Sequence, residues 1–158
     1  MISTRTPWTR VAYLVVAWLF IVSLLVQVFL AGLSLFVSGS YWDAHIGFGH
    51  SVPGLVALLL VVFALWGRFP RATILLTLLL FVLVIAQTEV FAAIRADVPL
   101  VAALHPVNAL ILFAIGVGLA RRVWALVRVR PAAADAEQRS PAQEVSAERH
   151  GGGEQRLP

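Results

Sequence analysis

The polar side chains that could do chemistry in this sequence are few, and they stand inside long apolar segments. They comprise a glutamine, three histidines, a glutamate and an asparagine: Gln27, His45, His50, Glu89, His105 and Asn108. Ionisable groups inside a membrane are costly, so they usually face the interior of a helix bundle or take part in a function. Two imidazoles can supply the axial ligands of a haem iron. The residue types therefore raise the hypothesis of a bis-histidine b-type haem site.

The helical rise places these side chains near one end of their segments. His50 lies about 8 Å and His105 about 10 Å inside the first residue of its segment. Glu89 lies about 8 Å, and Gln27 about 15 Å, before the last residue of its segment. Because successive segments run in opposite directions, these depths belong to the same half of the membrane. We therefore expect these four residues, together with Asn108, to converge on one interior site.

The composition excludes most other classes of protein. Of 158 residues, 60% are apolar and only 13% are charged, which is too much apolar surface for a water-soluble fold of this length. There is no cysteine, so disulfides, thiolate metal sites and cysteine nucleophiles are excluded. The net charge of +4 comes from arginines dispersed at the ends of apolar segments, with no basic and aromatic face for nucleic acid. The expected surroundings are a lipid bilayer.

Four apolar runs predict the architecture. They cover residues 11–37, 45–67, 72–94 and 98–120, and each is long enough to cross the hydrocarbon core. Short connections make neighbouring helices antiparallel, so residues 1–130 are predicted to form an all-α, up-down-up-down four-helix transmembrane bundle. Residues 131–158 are poor in apolar side chains and predict a disordered cytoplasmic tail.

The arginines predict the orientation. One side carries eight of them near helix ends, and the other side carries only Arg95. The eight are Arg5, Arg10, Arg68, Arg71, Arg121, Arg122, Arg128 and Arg130. Since basic residues accumulate on the cytoplasmic side, both termini are predicted to be cytoplasmic, in the inner membrane of a bacterial cell. The candidate site then lies in the outer half of the bilayer.

The buried polar residues allow two interpretations. In the first, the second and fourth helices lie on the diagonal of the bundle and hold a haem b between their histidines, with Glu89, Gln27 and Asn108 beside it. In the second, no cofactor is bound and these side chains form hydrogen bonds between the helices. The chain would then be an accessory or interaction subunit that meets another membrane protein or a second copy of itself. Neither interpretation assigns a catalytic residue.

Three short motifs carry a family resemblance. They are Trp-Asp-Ala-His at 42–45, Gly-His at 49–50 and Leu-His-Pro-Val-Asn-Ala at 104–109. Over about residues 11–122 the chain resembles a family of small bacterial four-helix membrane proteins of unknown function. It is more distantly similar to one half of haem A synthase, a four-helix bundle with haem-binding histidines near the outer ends of its second and fourth helices. That similarity implies His105 and either His45 or His50 as ligands.

The choice between His45 and His50 depends on helix rotation. Five residues correspond to about 140° around a helix, so the two side chains cannot share a face. The resemblance favours His45, although Ile46 follows it where the enzyme has an arginine. A stripe of small residues that includes Gly47 and Gly54 favours His50. The residues themselves therefore predict His50 and His105 as the iron ligands.

Overall fold

The computed structural model describes the backbone of residues 8–151 and the side chains of residues 8–128. All its regular elements in that range are helical. They are α1 (Trp8–Phe36), α2 (Tyr41–Trp66), α3 (Arg71–Ile85), a π-helical turn (Ala86–Val90), α4 (Phe91–Ile94), α5 (Pro99–Ala102) and α6 (His105–Gly151).

Four segments are long and apolar enough to cross a membrane, which confirms the predicted all-α class. These four spans are Trp8–Phe36, Tyr41–Trp66, Arg71–Ile94 and Pro99–Arg128. Three bounds differ from the sequence prediction by more than one residue: the first span begins at Trp8, the second begins at Tyr41, and the fourth continues past Arg121 and Arg122 to Arg128. The apolar runs predict only the part of each helix that lies in the hydrocarbon core, so they are shorter than the helices themselves. Backbone hydrogen bonding continues through the more polar turns on either side.

The spans form a ring in chain order. The first span packs against the second and the fourth, and the third packs against the same two. The second and fourth spans therefore lie on one diagonal, as the sequence predicted. A buried hydrogen bond of 2.7 Å between the Tyr13 hydroxyl and Thr77 Oγ1 links the first and third spans across the other diagonal.

The apolar core occupies one end of the bundle. Its largest fully buried apolar side chains are Tyr13, Phe20, Leu60, Leu80, Leu112, Leu119, Val84 and Val123. By contrast, none of residues 25–48 and 86–107 is buried. We call the well-packed half the core end and the other half the open end. The polar residues singled out above lie at or next to the open end.

The connection between α2 and α3 closes the core end. The ring of Phe69 is buried and lies 4.8 Å from the ring of Tyr13, measured between centroids. A Cβ atom on Gly67 would come within 2.6 Å of the Phe69 ring, so a larger residue at that position would displace it. Arg68, with φ of 48°, turns the chain in the left-handed region that non-glycine residues rarely adopt.

Beyond Arg128 the structure gives only the course of the α6 backbone, which is assigned as helix to Gly151. The expected disordered tail, residues 131–158, falls outside the residues whose side chains are described. It stays a prediction.

Candidate functional site

Two histidine rings, one from each span of the diagonal, lie close together at the open end. His45 lies near the start of α2, and His105 is the first residue of α6. Their ring centroids are 6.4 Å apart, and the ring planes are inclined by 57°. Both residues are half-buried. The structure therefore brings together one imidazole from each span of the diagonal.

The His45 ring is held from two sides. Its Nδ1 lies 3.1 Å from the backbone carbonyl oxygen of Gln27 in α1. Because a carbonyl can only accept, Nδ1 donates the proton and Nε2 of the neutral ring keeps its lone pair. The Trp42 ring stacks on the imidazole at 4.9 Å with an inclination of 13°. A histidine fixed by such a hydrogen bond is oriented as a metal ligand requires.

His50 occupies a different place from the one the sequence predicted. Its Nδ1 lies 3.2 Å from Glu89 Oε1, and the two side chains are 45% and 62% exposed. The expectation that His50 faces His105 is therefore corrected: His45 does. The buried line of α2 is Gly49, Pro53, Ala57, Leu60 and Ala64. His45 lies four residues, or about one turn, before Gly49 and so shares this face of the helix. His50 and the small-residue stripe through Gly47 lie on a neighbouring face.

An irregular turn in the third span supplies a second polar cluster. Within Ala86–Val90 the helix is wound as a π-helix, and the Phe91 N–H donates to the Ala86 carbonyl five residues back. Such turns insert a residue into the helical register and are frequent at functional sites. In this turn the Gln87 side chain contacts α6 at His105, and the Glu89 side chain, two residues later, contacts α2 at His50.

Gln87 and Asn108 tie the third span to the fourth. Asn108 Nδ2 donates to the Leu83 carbonyl at 2.9 Å and to Gln87 Oε1 at 2.7 Å. Gln87 Nε2 in turn donates to the backbone carbonyl of His105 at 3.0 Å. These bonds satisfy backbone oxygens next to the π-helical turn and at the start of α6. They hold the backbone that carries the His105 ring.

Gln27 reaches the site from the first span. Its side-chain amide packs directly against Gly49, and a Cβ atom at that position would collide with Nε2. Its Oε1 atom is buried, and no donor among the described residues bonds to it. Buried acceptors without a partner are rare in proteins. This oxygen is therefore available to a donor that is not part of the described chain.

The six predicted residues thus fall into two groups. The structure brings Gln27, His45, His105 and Asn108 together, and it places His50 and Glu89 in a separate, more exposed pair. Sequence analysis missed the contacts of Trp42, Gln87 and Phe91, the last of which lies 6.2 Å from the His105 ring. The spacing of three between Trp42 and His45 was a usable signal, since residues three apart share a helix face. Phe91 had none.

Asn108→Leu is expected to lower the free energy of unfolding by about 1–2 kcal/mol, because Gln87 Oε1 and the Leu83 carbonyl would lose their donor. The measurement is reversible unfolding in mixed micelles. Gln87→Leu should also destabilise the bundle. Since the two amides share a hydrogen bond, the double variant should lose less than the sum of the single losses. Strictly additive losses would contradict the network.

The helices and the polar site define an integral membrane protein with several helical spans. Residues 27–93 match the model of a family of unknown function, DUF6220. The matched segment contains Gln27, His45 and Glu89 but ends before His105 and Asn108. This match agrees with the resemblance to an uncharacterised family. No curated protein and no solved structure matches the chain, so the similarity to haem A synthase has no support from these comparisons.

Proposed function

We propose that the chain is a membrane-embedded haem b protein of the electron-transfer type, with His45 and His105 as the axial ligands. The observation that carries the proposal is the facing pair of rings. If both imidazoles held one iron through metal–nitrogen bonds of about 2 Å, their ring centroids would be roughly 6 Å apart. The observed separation is 6.4 Å.

The number of ligands also favours haem over a bare ion. Among the described residues, no group of three or more histidine, cysteine, aspartate or glutamate side chains could hold a metal ion. Zinc sites in proteins use three or four such ligands. Haem iron needs only the two axial ones, because the macrocycle supplies the rest.

The open end is packed less tightly than the core end. None of the residues at 25–48 and 86–107 is buried, so no apolar core of the chain's own fills the bundle at this level. Trp42 and Phe91 present aromatic rings beside the two histidines. A bound haem would supply one-electron chemistry there.

The chain's own residues would orient and tune the site. The Gln27 carbonyl fixes the tautomer of His45, so that Nε2 is the free ring nitrogen. Gln87 holds the backbone at His105. The Gln27 amide, packed on Gly49, offers an acceptor in the interior through Oε1.

The test is an absorption spectrum of the full chain, extracted in mild detergent from cells well supplied with haem. We expect the dithionite-reduced protein to show sharp α and β bands and about one haem per chain. A reduced spectrum without these bands would overturn the proposal.

One observation favours a second candidate, a non-catalytic accessory or interaction subunit. The His50–Glu89 pair is substantially exposed on the bundle, where a polar pair in lipid is costly unless it is covered. A membrane protein partner or a second copy of the chain could cover it. This candidate predicts a protein without haem bands whose His50 and Glu89 variants lose association.

The proposed location is the cytoplasmic (inner) membrane, with both termini inside. Its support is the arginine excess at the core end, with only Arg95 at the other. A reporter enzyme that works only outside the cytoplasm, fused after Pro158, is expected to be inactive, and a cytoplasmic reporter at the same position is expected to be active. The reverse result would contradict the orientation.

A further inference from the structure

A cleft opens between the first and fourth spans, towards the core end. It is lined by Trp18 of α1 and by Ala120, Arg121 and Trp124 of α6, it is open on one side, and its volume is about 160 Å³. Ala120 is buried, while the Trp18 and Trp124 rings are about half exposed and form the walls. The lining is apolar apart from Arg121, which suits an amphipathic ligand with one anionic group.

The helix face beside the cleft carries alternating cationic and aromatic side chains. Arg121, Trp124 and Arg128 follow one another at spacings of three and four, so they lie on one side of α6. The Arg128 guanidinium lies over the Trp124 ring, 4.5 Å from its centroid. This cation–π contact holds the indole at the edge of the cleft.

Charge at this end of the bundle is of one sign. Within residues 8–128 the core end carries the six arginines Arg10, Arg68, Arg71, Arg121, Arg122 and Arg128. The three acidic residues of that range, Asp43, Glu89 and Asp97, all lie towards the open end. An anion at the cleft therefore meets positive charge without a competing carboxylate from this part of the chain.

We propose that the cleft lined by Trp18, Ala120, Arg121 and Trp124 is a binding site for an anionic phospholipid. Its phosphate pairs with Arg121 near the cytoplasmic surface, and an acyl chain lies along the Trp18 and Trp124 rings. Arginine suits this role because its planar guanidinium donates two parallel hydrogen bonds to phosphate oxygens. Basic clefts between helices on the cytoplasmic side are known binding sites for lipid headgroups. The proposal is independent of haem binding, but its cytoplasmic location rests on the orientation proposed above.

The test uses the full chain, delipidated in detergent and titrated with phosphatidylglycerol or phosphatidylcholine under native mass spectrometry. Phosphatidylglycerol is expected to bind more tightly. Arg121→Gln should weaken its binding about fivefold, the effect of one basic side chain near a membrane surface. Trp124→Leu should also weaken it, because the cleft loses a wall.

The matched control is Arg71→Gln, which removes one positive charge from the same end of the bundle but away from the cleft. It should change phosphatidylglycerol binding less than twofold. Equal losses for Arg71→Gln and Arg121→Gln would overturn the proposal, because binding would then reflect diffuse charge alone. Equal affinity of the wild-type chain for both lipids would overturn it as well. Since Arg121 is exposed, both variants should keep the wild-type circular dichroism spectrum.

Discussion

Replacing either His45 or His105 with alanine is expected to remove the haem absorbance that we propose for the purified protein. Each substitution deletes one of the two rings whose centroids lie 6.4 Å apart. The loss of one of two proposed iron ligands weakens the retention of haem through purification. Haem content per chain should fall more than about tenfold, since even the loss of a group that only supports a metal ligand costs 10–100-fold. The measurement is the reduced absorption spectrum, normalised to protein.

His50→Ala is the matched control, because it removes an imidazole five residues from His45 on the same helix. Its partner is Glu89, and its ring is not part of the facing pair. Haem content should therefore stay within about twofold of wild type. If His50→Ala lost the haem and His45→Ala kept it, the ligand assignment would be reversed.

Phe20→Ala is expected to destabilise the bundle by about 2 kcal/mol or more, measured as the free energy of unfolding in mixed micelles. Phe20 is 0% exposed and lies between the first and fourth spans, where a Cβ atom on Gly116 would be only 3.3 Å from its Cδ1. Lipid is as apolar as the core, so the transfer part of the usual cost does not apply. The loss comes from the cavity and the missing van der Waals contacts.

Phe29→Ala provides the comparison on the same helix. Phe29 is 64% exposed at the open end, so its removal leaves no cavity. The expected change in unfolding free energy is below about 0.5 kcal/mol. Equal losses for the two variants would contradict the uneven packing of the bundle.

The candidate site was predictable in part. The distance of each polar residue from the end of its segment predicted that those of different spans would lie at a similar height in the bundle. Gln27, His45, His105 and Asn108 do lie together there. The rotation of about 140° between His45 and His50 also predicted, correctly, that only one of the two points into the bundle. The prediction that His50 is this inward histidine is wrong, because α2 buries the line through Gly49 and Pro53 and not the stripe of small residues through Gly47.

The sequence by itself determined the number of spans, the diagonal position of the second and fourth, and the polar level within the bundle. Those properties depend on the length of apolar runs, the shortness of the connections and the rise per residue, all of which are local. Only the tertiary structure decided which imidazole lies next to His105, because the rotation of α2 depends on which of its residues pack against the other spans, and Gly49 is the one that lies against Gln27. It also decided the separate partners of Gln87 and Glu89, since the π-helical turn inserts a residue that hydropathy does not register.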